Sequence, residues 1–174
     1  MSARDELIHV LRSACSGELA AIHAYAGHAR SVRDREERER ITVIEGEEEH
    51  HRELVIGLLR ELGARPSRAR DAIFSIIGKA IAFLCRIGGW FIPMYGAGRL
   101  EKSNIREYEL AAKLAAESGN ASMIDCLLTM AEVEWEHERY FRERVVGHWL
   151  LRVFPLWEAP PEKSAIRAAH ADAA

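Results

Sequence analysis

At 174 residues the chain is long enough for one domain with a real core. Hydrophobic residues at 48% and charged residues at 29% are ordinary for a soluble globular protein, and a formal net charge of −3 gives no reason to expect a nucleic-acid partner. Cys15, Cys85 and Cys126 are odd in number and lack CxxC spacing, which argues against a disulfide framework or a cysteine zinc site and fits a reducing compartment. The opening residues carry acids early and no continuous apolar run, so no signal peptide is predicted.

Residues 4–32 read as a first helix with the stripe Leu7, Leu11, Ala14, Glu18, Ile22 and Tyr25. Glu18 is the one acid on that face. Arg33 to Arg40 has interleaved acids and reads as a turn or solvated helix end. A second helix over residues 35–63 stops at Gly63, with Pro66 soon after. Two registers are open for its buried stripe. One is Ile44, Glu48, His51, Val55, Leu58 and Leu62; the other is Val43, Glu47, His50, Leu54, Gly57 and Glu61. The first is more apolar and is preferred.

After a basic loop, residues 72–86 predict a short apolar helix that breaks at Gly88-Gly89. The wider stretch 73–98 is apolar apart from Lys79 and Arg86, but its longest uncharged piece, Ile87–Gly98, contains Gly and Pro. A membrane span wants about 20 uninterrupted apolar residues. This stretch instead suggests a surface that dips into a membrane interface. A third long helix from Phe91 to Ser118 carries Glu101, Ile105, Tyr108, Ala112 and Ala115, and Gly119-Asn120 makes the next turn. The fourth, Ser122–Val146, carries Leu127, Ala131, Glu134, His137, Phe141 and Val145. Residues 147–157 are aromatic and apolar, and 158–174 have no apolar period and read as a mobile tail. The strand signal is nearly absent, so the chain is expected to be all-α, with residues 1–157 as its folded domain.

Each half of the chain thus holds a long helix with one acid on its apolar stripe, followed by a long helix with Glu-x-x-His: Glu18 with Glu48 and His51, then Glu101 with Glu134 and His137. The three-residue spacing puts a carboxylate and an imidazole about 5–6 Å apart on one face. Burying such groups without partners costs several kcal/mol, and a metal ion would compensate them. One Glu from each of two helices and Glu-x-x-His from two more is the pattern of a dinuclear carboxylate bundle. Oxygen donors with one imidazole per ion suit iron or manganese. Glu49, Glu136 and Glu138 are expected to face solvent or lie beside the ligands. His9, His23, His28, His148 and His170 match no ligand spacing and read as surface or locally bonded histidines. Tyr25 is read as core packing; Tyr108 is open between core packing and a hydrogen-bonding or redox neighbour of the metals. No nucleophilic triad, phosphate loop or dinucleotide fingerprint is present, so a reductant must be delivered without a Rossmann domain.

This arrangement resembles the demethoxyubiquinone hydroxylases, membrane-associated di-iron enzymes of ubiquinone biosynthesis. Three stretches carry the likeness beyond spacing: GELAAIHAYAGHA (17–29), RPSRARDAIFSIIGKAIAF (65–83) and GRLEKSNIREY (98–108), the last with Tyr108 seven residues after Glu101. The resemblance spans residues 10–145. It implies a ferritin-like four-helix bundle with an additional short apolar helix between helices 2 and 3. It also implies two iron ions on the six residues named. The activity implied is hydroxylation of a demethoxy-quinone ring, with O2 and electrons ultimately from NADH or a reductase. The substrate would be a polyprenyl quinone reaching the site past residues 73–98, from a peripheral position on the cytoplasmic side of a membrane. The family tends to have His before the helix-3 Tyr, where this chain has Glu107. The alternative function is a ferritin-like or rubrerythrin-like protein for iron storage or peroxide scavenging. The surfaces 73–98 and 147–157 are equally suited to a homodimer contact.

Overall fold

The computed structural model describes residues 2–170. Among them the chain is an all-α helical bundle fold without strands. Its helices are α1 (Ala3–Ser31), α2 (Arg35–Glu61), α3 (Arg68–Ile87), α4 (Phe91–Glu117), α5 (Ile124–Val145) and α6 (Lys163–Ala168). Short 3-10 turns occupy Ala121–Met123 and Trp149–Arg152.

Local chemistry sets the helix ends. The Asp34 carboxylate accepts the Glu37 N–H at 2.9 Å and so opens α2. Gly63 takes φ +65°, and the Ala64 N–H reaches back to the Leu59 carbonyl at 2.8 Å, closing the same helix. Ser67 caps α3, which therefore starts at Arg68 and runs 20 residues, longer than the short helix the apolar run suggests. The extra turn is RARD, whose one apolar residue is Ala69, and it is recruited by the cap rather than by a hydrophobic stripe. Gly119, φ +76°, ends α4 in the same left-handed way as Gly63, with Asn120 N–H on the Ala115 carbonyl at 2.8 Å.

The chain divides into two compact units: Ile8–Pro93, and the other described residues. In the first, α1 and α3 run side by side in the same direction. Ser16 Oγ donates to Asp71 at 2.8 Å, and Arg70 reaches Ser13 at 3.1 Å. Farther along, the helices meet at a seam of small residues. A Cβ on Gly78 would lie 2.4 Å from the Ala20 carbonyl oxygen, and one on Gly27 would lie 2.3 Å from the Ala82 Cβ. Neither glycine can be enlarged without moving backbone. With that face spent on α1, α3 turns Ile73, Ile76, Ile77, Phe83, Leu84 and Ile87 outward, alongside exposed Lys79 and Arg86. No helix among the described residues is long and apolar enough to cross a membrane.

In the second unit, the segment after α5 folds back over α4 and α5. Trp157 lies over Gly98, where a Cβ would come within 2.4 Å of its ring. Its indole N–H donates to Glu138, and its carbonyl accepts from Arg142 at 2.9 Å. Tyr95 OH donates to the Pro155 carbonyl at 2.7 Å. The region read as a structureless tail contains α6. Ile166 is buried, and Arg167 donates to Glu132 at 2.8 Å, Asp125 at 2.7 Å and Thr129 at 2.9 Å, all on α5. One apolar residue, the Arg167 guanidinium and the Lys163 ammonium, which pairs with Glu136, hold this helix, so no hydrophobic period announces it. The last residues of that predicted tail, 171–174, lie outside the described ones.

Candidate metal centre

Burial follows the predicted stripes. Glu18, Glu48, His51, Glu101, Glu134 and His137 are all buried, none more than 3% exposed. On α2 the two registers separate: Glu48 and His51 are inside, whereas His50 is exposed and Glu47 is paired with Arg40 at 3.0 Å. Glu49 and Glu136 are exposed. Tyr108 is 1% exposed on α4, and Tyr25 is buried on α1.

Within the first unit, one donor atom each from Glu18, Glu48 and His51 lies within 4.8 Å of the others. α1 supplies the first and α2 the other two. Within the second unit, Glu101 from α4 and Glu134 and His137 from α5 satisfy the same criterion. Each triad offers two carboxylates and one imidazole, a donor set for a hard or borderline divalent ion. The electrostatics agree. Burial, and then the charge of Glu134, push the Glu101 carboxyl well above its ordinary range; His137 and the Asn104 amide pull the other way. Two like charges in a dry interior repel, and a cation among them removes both the repulsion and the desolvation cost. The residues fit a metal ion.

Two residues near the second triad carry no ligand signature. The Asn104 amide lies 3.0 Å from Glu101 Oε2 and 3.4 Å from Glu134 Oε2. Its sequence signal was available, since it stands three residues after Glu101, but an isolated Asn on a helix has many uses. Glu138, expected to be solvent-facing or beside the ligands, is buried between Arg142 and the Trp157 indole. Of the non-ligand histidines, His28 is not on the surface. It is buried with its ring 6.4 Å from that of Tyr25, and burial lowers its pKa to about 4. His23 lies 3.0 Å from Ser75 Oγ.

The family model described as ubiquinone biosynthesis protein COQ7 matches residues 5–95, just over half of the chain. The chain belongs to the COQ7 family. A role in ubiquinone biosynthesis follows from that membership. Neither a curated protein nor a solved structure matches the chain. The COQ7 match contains Glu18, Glu48 and His51 and stops before Glu101, Tyr108, Glu134 and His137. The second triad therefore stands on its own chemistry: the same three donor types, equally buried, at the same Glu-x-x-His spacing.

Proposed function

We propose that the protein is a di-iron monooxygenase that hydroxylates a demethoxy-quinone ring in ubiquinone biosynthesis, holding one iron on each triad. The observation that carries this reading is the repeated buried triad of two carboxylates and one imidazole in a COQ7-family chain. Glu18, Glu48 and His51 are the ligands of one ion; Glu101, Glu134 and His137 are those of the other. Bound iron, once reduced, supplies the electrons that activate dioxygen. One oxygen atom enters a ring C–H bond as hydroxyl; the other leaves as water, with two electrons ultimately from NADH and two protons completing the balance.

The chain's own contribution is to hold and to exclude. Each ligand is buried, which keeps bulk water and stray protons from the reacting oxygen. Tyr108, buried seven residues after Glu101, is a hydrogen-bonding or redox neighbour of the ions. The outward side chains of α3 favour a peripheral membrane position from which a polyprenyl quinone enters. Each such side chain gains roughly 1.5–3 kcal/mol when fully buried in an apolar phase, and exposed Lys79 and Arg86 can remain at the headgroups.

The test is anaerobic loading with Fe(II), then exposure to O2 with and without a short-chain demethoxy-quinol. The expected result is about two irons per chain, quinol-accelerated oxidation and a product bearing one new hydroxyl. Glu18→Ala and Glu134→Ala should each lose iron and abolish oxygen consumption. Iron oxidised equally fast without quinol, with mineral growth, would point to storage or scavenging instead.

A further inference from the structure

The two triads use the same ligands, but one position beside them differs. Three residues after Glu18, one helical turn along α1, stands Ala21, which has no side-chain donor; three residues after Glu101 on α4 stands Asn104. Its Nδ2 is 3.0 Å from Glu101 Oε2 and 3.4 Å from Glu134 Oε2, and the latter oxygen is 3.7 Å from His137 Nδ1. Only the N–H end of an amide can face two carboxylate oxygens, because its carbonyl would add a third acceptor. A Lys or Arg there would neutralise the acids and compete with a cation; an amide orients them and leaves their charge intact.

We propose that Asn104 is a positioning residue for the ion on the second triad, tying Glu101 of α4 to Glu134 of α5 so that both keep their free lone pairs turned toward the metal. The inference rests on the reading of the triads as iron sites. The physical need is plain: once the proton leaves to admit the ion, two buried carboxylates repel and would otherwise swing apart. The amide holds the binding geometry through that interval, so less reorganisation accompanies metal entry. At the matching position of the first triad, Ala21 supplies no such amide.

The experiment is an anaerobic Co(II) titration of the wild type, Asn104→Ala and Asn104→Leu, followed by visible absorption and circular dichroism. Alanine is a strong helix former and gives the second triad what the first already has at Ala21. Leucine keeps the volume and removes the donor. In both variants one of the two binding steps should weaken roughly 10–100-fold, the usual cost of losing a hydrogen-bond partner of a metal ligand. The ligand-field bands of that step should shift while the other step stays at its wild-type affinity. Unchanged affinities and bands would overturn the proposal. So would a loss spread evenly over both steps with a lowered melting temperature, because that marks a purely structural asparagine. Wild-type protein that takes up no Co(II) or Fe(II) would defeat the iron reading itself, and this inference with it.

Discussion

In the unit Ile8–Pro93 the side chain that follows His51 is tied to an aspartate, whereas in the other unit the side chain that follows His137 is tied to a tryptophan. Asp71 of α3 accepts from Ser16 of α1 at 2.8 Å and from Arg52 of α2 at 2.9 Å, and Arg52 also donates to the Cys15 carbonyl. Arg52 directly follows the proposed ligand His51, so this clamp holds together α1 and α2, the two helices that carry the first triad. In the second unit Trp157 covers Gly98, receives Arg142 on its carbonyl and over its ring, and donates to Glu138, the residue after His137. The same set of two carboxylates and one imidazole is thus braced once by an ion pair and once by an aromatic strap. The donor pattern therefore dictates little about its scaffold. Only the donors need a fixed geometry, and any dry, rigid brace can supply it.

Acid and base should separate the two units most strongly. His28, in the first, has a folded pKa of about 4 against an ordinary 6.5. Between those values the folded state binds fewer protons than the unfolded, so stability is full above pH 6.5 and falls as pH drops to 4, by roughly 3 kcal/mol. Urea unfolding of the metal-free protein across that window should show the loss, and His28→Phe should flatten it. Glu101, in the second unit, is shifted upward and has the opposite sign. The stability gained from its tightly held proton is present at low pH and lost as pH rises through the folded value. Metal must displace that proton, so affinity for the second ion should rise with pH in the same titration series.

The next largest contrast lies in the glycines. Gly27→Ala places a methyl 2.4 Å from the Ala82 Cα, and only a backbone shift relieves it. Gly98→Ala meets the edge of the Trp157 ring, carried on a segment outside any helix, which can lift. We expect about 2–3 kcal/mol for the first and about 1 kcal/mol for the second in thermal unfolding. Equal costs would show that the strap is as rigid as the α1–α3 seam.

Smaller still is the difference between the braces. Arg52→Ala removes charged hydrogen bonds from half-buried Asp71 and the Cys15 carbonyl and should cost about 2 kcal/mol. Trp157→Phe removes one donor from Glu138 but leaves Arg142 in place, so about 1 kcal/mol is expected. Denaturant midpoints at constant slope would rank them; the reverse order would mean that the strap, not the clamp, is the stronger brace.

The sequence by itself determined the helical class, the positions of the long helices and the placing of six acids and imidazoles on buried stripes. Those features are periodic, and a 3.6-residue period with a polar intruder is visible without any partner. The choice of Glu48 and His51 over Glu47 and His50 rested on slightly greater apolarity, and the structure buries the first pair while Arg40 engages Glu47. Tertiary structure alone decided what depends on distant contacts. Asn104 meets Glu134 thirty residues away, Trp157 meets Glu138 nineteen away, and Arg167 meets Asp125 forty-two away. Single contacts of this kind leave no period in the chain, so α6, the aromatic strap and the Asn104 amide became legible only once the helices were packed.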